Sequence, residues 1–206
     1  MFPVAQNNLS DLKNSLANAQ DTAPVSSGVQ YLTFASRRNA WEYGREREDV
    51  SGQKLLINSA SFTHGWILWH MKKCHTSMVS IMNPLPTEPE PMAKPNGDLS
   101  TASEGRGFQG KWEDSDEIVQ FESGTMGGKN AVSKVIAEVK MRAIAGSDYI
   151  FPLVELDSYS YTNNNGDEVY SPELKVVSWL NAEGETEGAA LEAPEEKAPT
   201  RRTRRA

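Results

Sequence analysis

"IVQFESGTMGGKNAVSKVIAEVKMRAIAG", residues 118–146, begins like a strand, turns through glycines and continues like a helix. Two readings compete for Gly124-Thr125-Met126-Gly127-Gly128-Lys129: a phosphate cradle, or a corner between two elements. A Walker loop requires G-x-x-x-x-G-K-[ST]; here Ser123 stands where the first glycine belongs and Asn130 replaces the hydroxyl that would hold magnesium. The corner reading asks only that glycines permit a sharp turn and that Thr125 or Asn130 cap the helix. Exposed amides at a helix start, with Lys129 beside them, can still meet a phosphate of another origin, such as a nucleic-acid backbone.

Outward from this corner, KNAVSKVIAEVKMRAIA (129–145) has a helical period, with Val132, Val135, Ile136, Val139 and Ile144 recurring at three- and four-residue steps. Every other apolar run is short, rich in β-branched and aromatic residues and bounded by turn formers. These runs are 29–35, 54–60, 61–71, 77–82, 117–123, 150–161 and 169–180, and all read as strands. One helix among six or seven strands predicts a mainly β fold, a β-rich α+β domain. It would be built as an OB-fold-like small barrel or a curved antiparallel sheet. The repeated strand-helix units of a nucleotide-binding α/β fold are missing.

The expected organisation is a flexible arm at 1–28, a β-rich domain at 29–181 and a disordered, charge-segregated tail at 182–206. Glutamates at 183, 185, 187, 192, 195 and 196 precede arginines at 201, 202, 204 and 205, with no aromatic residue to bury. Within the domain, 83–107 is crowded with proline, glycine and small polar residues and reads as a long disordered loop. The single cysteine, Cys74, fits a reducing compartment. No apolar run reaches the length of a membrane span and the first residues lack the pattern of a secretion signal, so a soluble intracellular protein is expected, with no membrane partner.

Two stretches carry candidate chemistry. In SFTHGWILWHMKKCH (61–75), alternation places Ile67, Trp69 and Met71 on one face, read as core, and His64, Trp66, His70 and Lys72 on the other. Aromatics and bases interleaved on a sheet surface suit the stacking of unpaired bases, although Trp66 could equally pack under the long loop. A zinc site from His64, His70, Cys74 and His75 lacks any closing pair of ligand spacing. In FASRRNAWEYGREREDVSGQK (34–54), Arg37, Arg38, Trp41 and Tyr43 could grip a strand of nucleic acid, but the interleaved Glu42, Glu46, Glu48 and Asp49 equally suit a self-paired connection. No nucleophile-elbow serine, oriented cysteine or cofactor fingerprint is visible, so no enzyme and no cofactor is expected.

The ordered run of VQYLTF, GWILW, the proline-rich insert, KWEDSDEIVQFESGTMGGKNAVSKV, FPLVELDSYSY and SPELKVVSWL resembles a group of phage and prophage proteins. That group shares a tryptophan-rich strand, a serine-glycine turn into a helix and a closing P-x-[FL]-x-V-x-x-W strand. The resemblance covers residues 29–181 and implies an OB-fold-like single-stranded DNA-binding protein of phage replication or recombination, acting in the host cytoplasm with replication or recombination proteins as partners. The RRTRRA ending departs from the acidic or aromatic ends of such tails. On this reading Trp66 stacks a base, Trp41, Tyr43 and His70 are further platforms, and Arg37, Arg38, Lys72, Lys73 and Lys129 contact phosphates. The alternatives are a virion or assembly component whose sheet forms a homo-oligomer interface, and a small inhibitor of a host enzyme.

Overall fold

The corner at Gly124–Gly127 does join a strand to a helix, and its chemistry is that of a cap. Thr125 has extended backbone and its Oγ1 accepts from the Gly128 N–H at 3.2 Å, so the helix starts at Met126, three residues earlier than its periodicity predicts. A Cβ at Gly127 would collide with Ser171 Oγ, and one at Gly128 with the Ser123 side chain. The glycines let the first helical turn lie against its neighbours.

A computed structural model describes residues 30–163 and 165–188. In chain order its elements are β1 (Gln30–Ala35), β2 (Ala40–Tyr43), β3 (Glu48–Asp49), β4 (Lys54–Ile57), β5 (Thr63–His70), β6 (Lys73–Ser80), β7 (Met92–Ala93) and β8 (Leu99–Ser100). They continue with β9 (Ser103–Trp112), β10 (Ile118–Ser123), α1 (Met126–Ile144), β11 (Phe151–Thr162) and β12 (Glu168–Leu180). Among the described residues the protein is therefore mainly β with one helix, a β-rich α+β curved sheet. The main sheet runs β12-β11-β4-β9-β10-β1-β2-β3, with β5 and β6 branching from β9. Among the described residues all pairings are antiparallel except β1 with β10, where Gln30 meets Val119 and Leu32 meets Phe121.

The branch arises on β9. Its later residues pair with β4 (Leu55 with Trp112) and its earlier ones with β5 (Thr63 with Gly107), and the 3-10 turn at Ser59–Ser61 steps the chain from one run to the other. The expected loop at 83–107 is corrected here: β7 and β8 form a hairpin inside it, and from Ser103 onward the chain is the strand in the middle of the sheet. The glycines that made 103–107 read as loop are required by close packing. A Cβ at Gly105 would lie 2.7 Å from Ile67 Cδ1, and one at Gly107 would lie 2.6 Å from the Phe121 carbonyl oxygen.

Helix α1 buries Ala131, Val132 and Val135 among Leu32, Leu55, Ile57, Phe108, Phe121, Val154 and Leu156. Ile144, at its last turn, is exposed rather than part of that face. The ladder does not close into a barrel. Instead, the Gly52 N–H donates to the Leu156 carbonyl at 2.8 Å, the Leu156 N–H donates to the Gln53 carbonyl at 3.0 Å, and the Trp41 indole donates to the Asp157 carbonyl at 2.7 Å. These bonds draw the β2–β3 end of the sheet against β11.

The arm at 1–28 and the tail beyond residue 188 lie outside the described residues. The start of the expected tail is ordered, a second correction. Asn181 and Glu185 form a hydrogen-bonded turn, Leu180 bridges Thr186, and Glu187 receives both Arg142 guanidinium nitrogens at 3.0 and 2.8 Å. Arg142 also lies 4.2 Å from the Trp179 ring centre, so the segment folds back on the helix end despite its acidic composition. Among the described residues no helix is long and apolar enough to cross a membrane.

Candidate nucleic-acid interface

Most of the side chains that the sequence offers as stacking platforms are covered. Trp41 is 1% exposed, in edge contact with Phe34 and Phe121, and belongs to the core. Tyr43 packs against Trp112 with ring centres 5.1 Å apart, and burial, with Glu117 nearby, pushes its phenol up to about 12. Trp66 donates its indole N–H to the Pro86 carbonyl at 2.8 Å, and His70 Nδ1 meets Ser100 Oγ at 3.3 Å. The proline-rich segment thus runs along that face of β5, where His64 Nε2 also bonds the Asn83 carbonyl. Trp41 and Tyr43 are corrected from open platforms to packed residues, while Trp66 and His70 are half-buried with a ring nitrogen engaged.

The expectation for the other face of β5 holds at Ile67 and fails at Trp69. Ile67 is buried as expected, but Trp69 is 64% exposed and Met71 stands in the turn with φ of 48°. Met71 and Lys72 both take left-handed backbone, which sets a tight two-residue turn between β5 and β6. Alternation separates the two faces correctly but does not say which one the rest of the chain will cover.

Trp69 opens onto a cleft of about 690 Å³, within the usual range of small-molecule and cofactor sites. Five pieces of chain build it. They are Tyr31, Thr33 and Phe34 of β1; Ile67 and Trp69 of β5; Cys74 and Thr76 of β6; Glu122 through Gly127 at the capped corner; and Tyr161 with Val169 through Pro172 from the β11–β12 hairpin. The opening stretch thus borders the site, through its turn rather than through a phosphate cradle. Tyr31 and Tyr161 are 58% and 49% exposed, and both line the same cavity as Trp69.

Among the described residues the lining contains no lysine or arginine. Its ionisable groups besides tyrosine are Glu122 and Cys74. Burial pushes the Glu122 carboxyl up from its ordinary value, partly opposed by the hydrogen bond from Gln120, and partial burial, with Glu122 adding, pushes the Cys74 thiol up. Cations stand outside the lining. Lys72 and Lys73 immediately precede Cys74, and Arg37 follows the lining residue Ser36; all three are exposed and form no ion pair among the described residues. Lys129, half-buried in the first turn of α1, is likewise without an ion pair among them. Arg38 differs, because it pairs with Glu42, a nearly buried carboxylate that Arg47 also approaches at 4.0 Å. The self-paired reading of 34–54 describes this part of the connection, and Arg38 is corrected from a free phosphate contact to an ion-pair partner.

Among the described residues no group of three or more histidine, cysteine, aspartate or glutamate side chains comes together in a way that could hold a metal. Comparison with protein families, curated proteins and solved structures finds no match to this chain.

Sequence reading missed Trp69, Tyr31 and Tyr161. One signal was available: Trp69 is followed by a lysine-rich tight turn, where a side chain near the hairpin end has little sheet to cover it. Tyr31 and Tyr161 gave no such sign, since their meeting depends on how β1 and the β11–β12 hairpin are placed by the long-range ladder.

Proposed function

We propose that this protein is a non-catalytic binder of single-stranded nucleic acid, DNA in the first place, whose bases enter the aromatic cleft. The observation that carries the reading is the convergence of exposed Tyr31, Trp69 and Tyr161 on one cavity. Base stacking on aromatic faces contributes about 1–3 kcal/mol per base and tolerates any sequence. A role in phage replication or recombination rests on the resemblance of residues 29–181 alone.

Phosphates are expected at the rim, on Arg37, Lys72 and Lys73, because the described residues of the lining offer them no cation. Three contacts on a single strand give a slope of about −2 in log affinity against log salt, since each contributes roughly 0.7. Titrating a mixed-sequence labelled oligonucleotide at two salt concentrations tests this. Saturable binding with a shallow slope supports the proposal; no binding at low salt rejects it.

A second reading, an assembly component, is favoured by β6. Among the described residues it pairs only with β5, leaving eight residues of open edge that contain neither proline nor a bulge. Sedimentation of the protein without nucleic acid distinguishes it, because edge pairing would give a concentration-dependent dimer.

A further inference from the structure

Glu122 is out of place in a site that handles only phosphates. It lines the aromatic cleft, its Oε1 accepts from Gln120 Nε2 at 2.7 Å, and nothing pairs with its Oε2 among the described residues. With no lysine or arginine among the described residues of the lining, the carboxylate repels a phosphate and attracts a neutral N–H donor.

Resting on the nucleic-acid reading above, we propose that Glu122 makes the cleft a subsite for nucleobases bearing an exocyclic amino group, guanine above all, in preference to thymine. Guanine presents N1–H and an N2 amino hydrogen side by side, two parallel donors that match a carboxylate in the way a guanidinium does. Cytosine and adenine present one amino donor beside a ring nitrogen acceptor on the same edge, so one carboxylate oxygen gains a bond while the other faces a lone pair. Thymine has a single N3–H flanked by two carbonyl oxygens, both repelled by the carboxylate. The ring faces of Trp69, Tyr31 and Tyr161 hold any base; Glu122 ranks them. The order expected is guanine, then cytosine and adenine, then thymine.

The test compares a dT 12-mer with the same strand carrying one central guanine, read by tryptophan fluorescence, on the wild type and on Glu122→Gln. The guanine strand should bind the wild type about tenfold more tightly, the scale of one good bidentate base contact. Glu122→Gln, which keeps the size of the side chain, should lose that preference by weakening the guanine strand, while it binds the all-thymine strand no more weakly than the wild type does, with a melting temperature no lower than the wild type's as the folding control. Equal wild-type affinities overturn the guanine inference and leave the nucleic-acid reading standing. Failure of both strands to bind overturns both. If a short arginine peptide instead binds and Glu122→Gln abolishes it, the carboxylate and rings serve a cationic protein segment and the base inference is rejected.

Discussion

The Trp66 indole N–H donates to the Pro86 carbonyl at 2.8 Å, while Trp69, three residues along the same strand, is 64% exposed beside the cleft. Trp69, expected in the core, is the open one, and Trp66 takes the alternative of packing under the long loop. Trp66→Phe should therefore lower stability by about 1 kcal/mol, one neutral hydrogen bond, and leave oligonucleotide affinity unchanged. Chemical denaturation and a binding titration on the same variant check both halves.

Trp41 ties the open end of the sheet to β11 through its bond to the Asp157 carbonyl, and it is fully enclosed. Trp41→Ala should cost about 3–5 kcal/mol of stability, the range for emptying a large aromatic site. A loss under 1 kcal/mol in urea unfolding would contradict the packing described for β2.

The cap at Thr125 is separable from any phosphate role. Thr125→Ala should cost about 1 kcal/mol in stability, while calorimetry with magnesium and ATP should show no binding to the wild type, since the hydroxyl position is Asn130. Saturable heat on ATP addition would reopen the nucleotide reading.

Glu122 gives stability a pH dependence of definite sign. Burial raises its folded pKa above the unfolded value, so the folded state holds the proton more firmly. The contribution is complete below the unfolded carboxylate range and is lost as pH rises through the raised folded value. Glu122→Gln should thus gain stability relative to the wild type as pH rises from about 4.5 toward neutrality. Melting temperatures of both proteins at four or five pH values measure this, and a difference that shrinks over that interval would refute it.

Cys74 is the single cysteine and borders the cleft, so it reports on occupancy. Its raised pKa predicts slow alkylation near neutral pH and faster reaction in alkaline buffer. Bound oligonucleotide should slow labelling further; an unchanged rate at saturation would place the nucleic acid elsewhere.

The strand and helix composition was legible in the sequence because each apolar run carries its own period and turn signals. The run at 118–146 held the capped corner, and 150–161 and 169–180 held the long hairpin almost to the residue. The middle of the sheet was not legible at 103–107, where glycines demanded by Ile67 and the Phe121 backbone look like those of a loop. β2 was missed for a related reason: its four residues are set in a charged connection, and the buried Glu42 is tolerable only because Arg38 and Arg47 approach it. The cleft was legible least. Tyr31, Trp69 and Tyr161 lie far apart in the chain, and local pattern shows that a residue faces outward without showing what stands opposite.

The most direct measurement is the affinity of Trp69→Ala for a labelled single-stranded oligonucleotide, taken with its melting temperature. The account predicts binding weakened by about 1–3 kcal/mol with folding intact, because an exposed ring is removed from the cleft and nothing in the core moves. Wild-type affinity in a folded Trp69→Ala protein would show that bases do not stack in this cleft, and the proposed interface would be wrong.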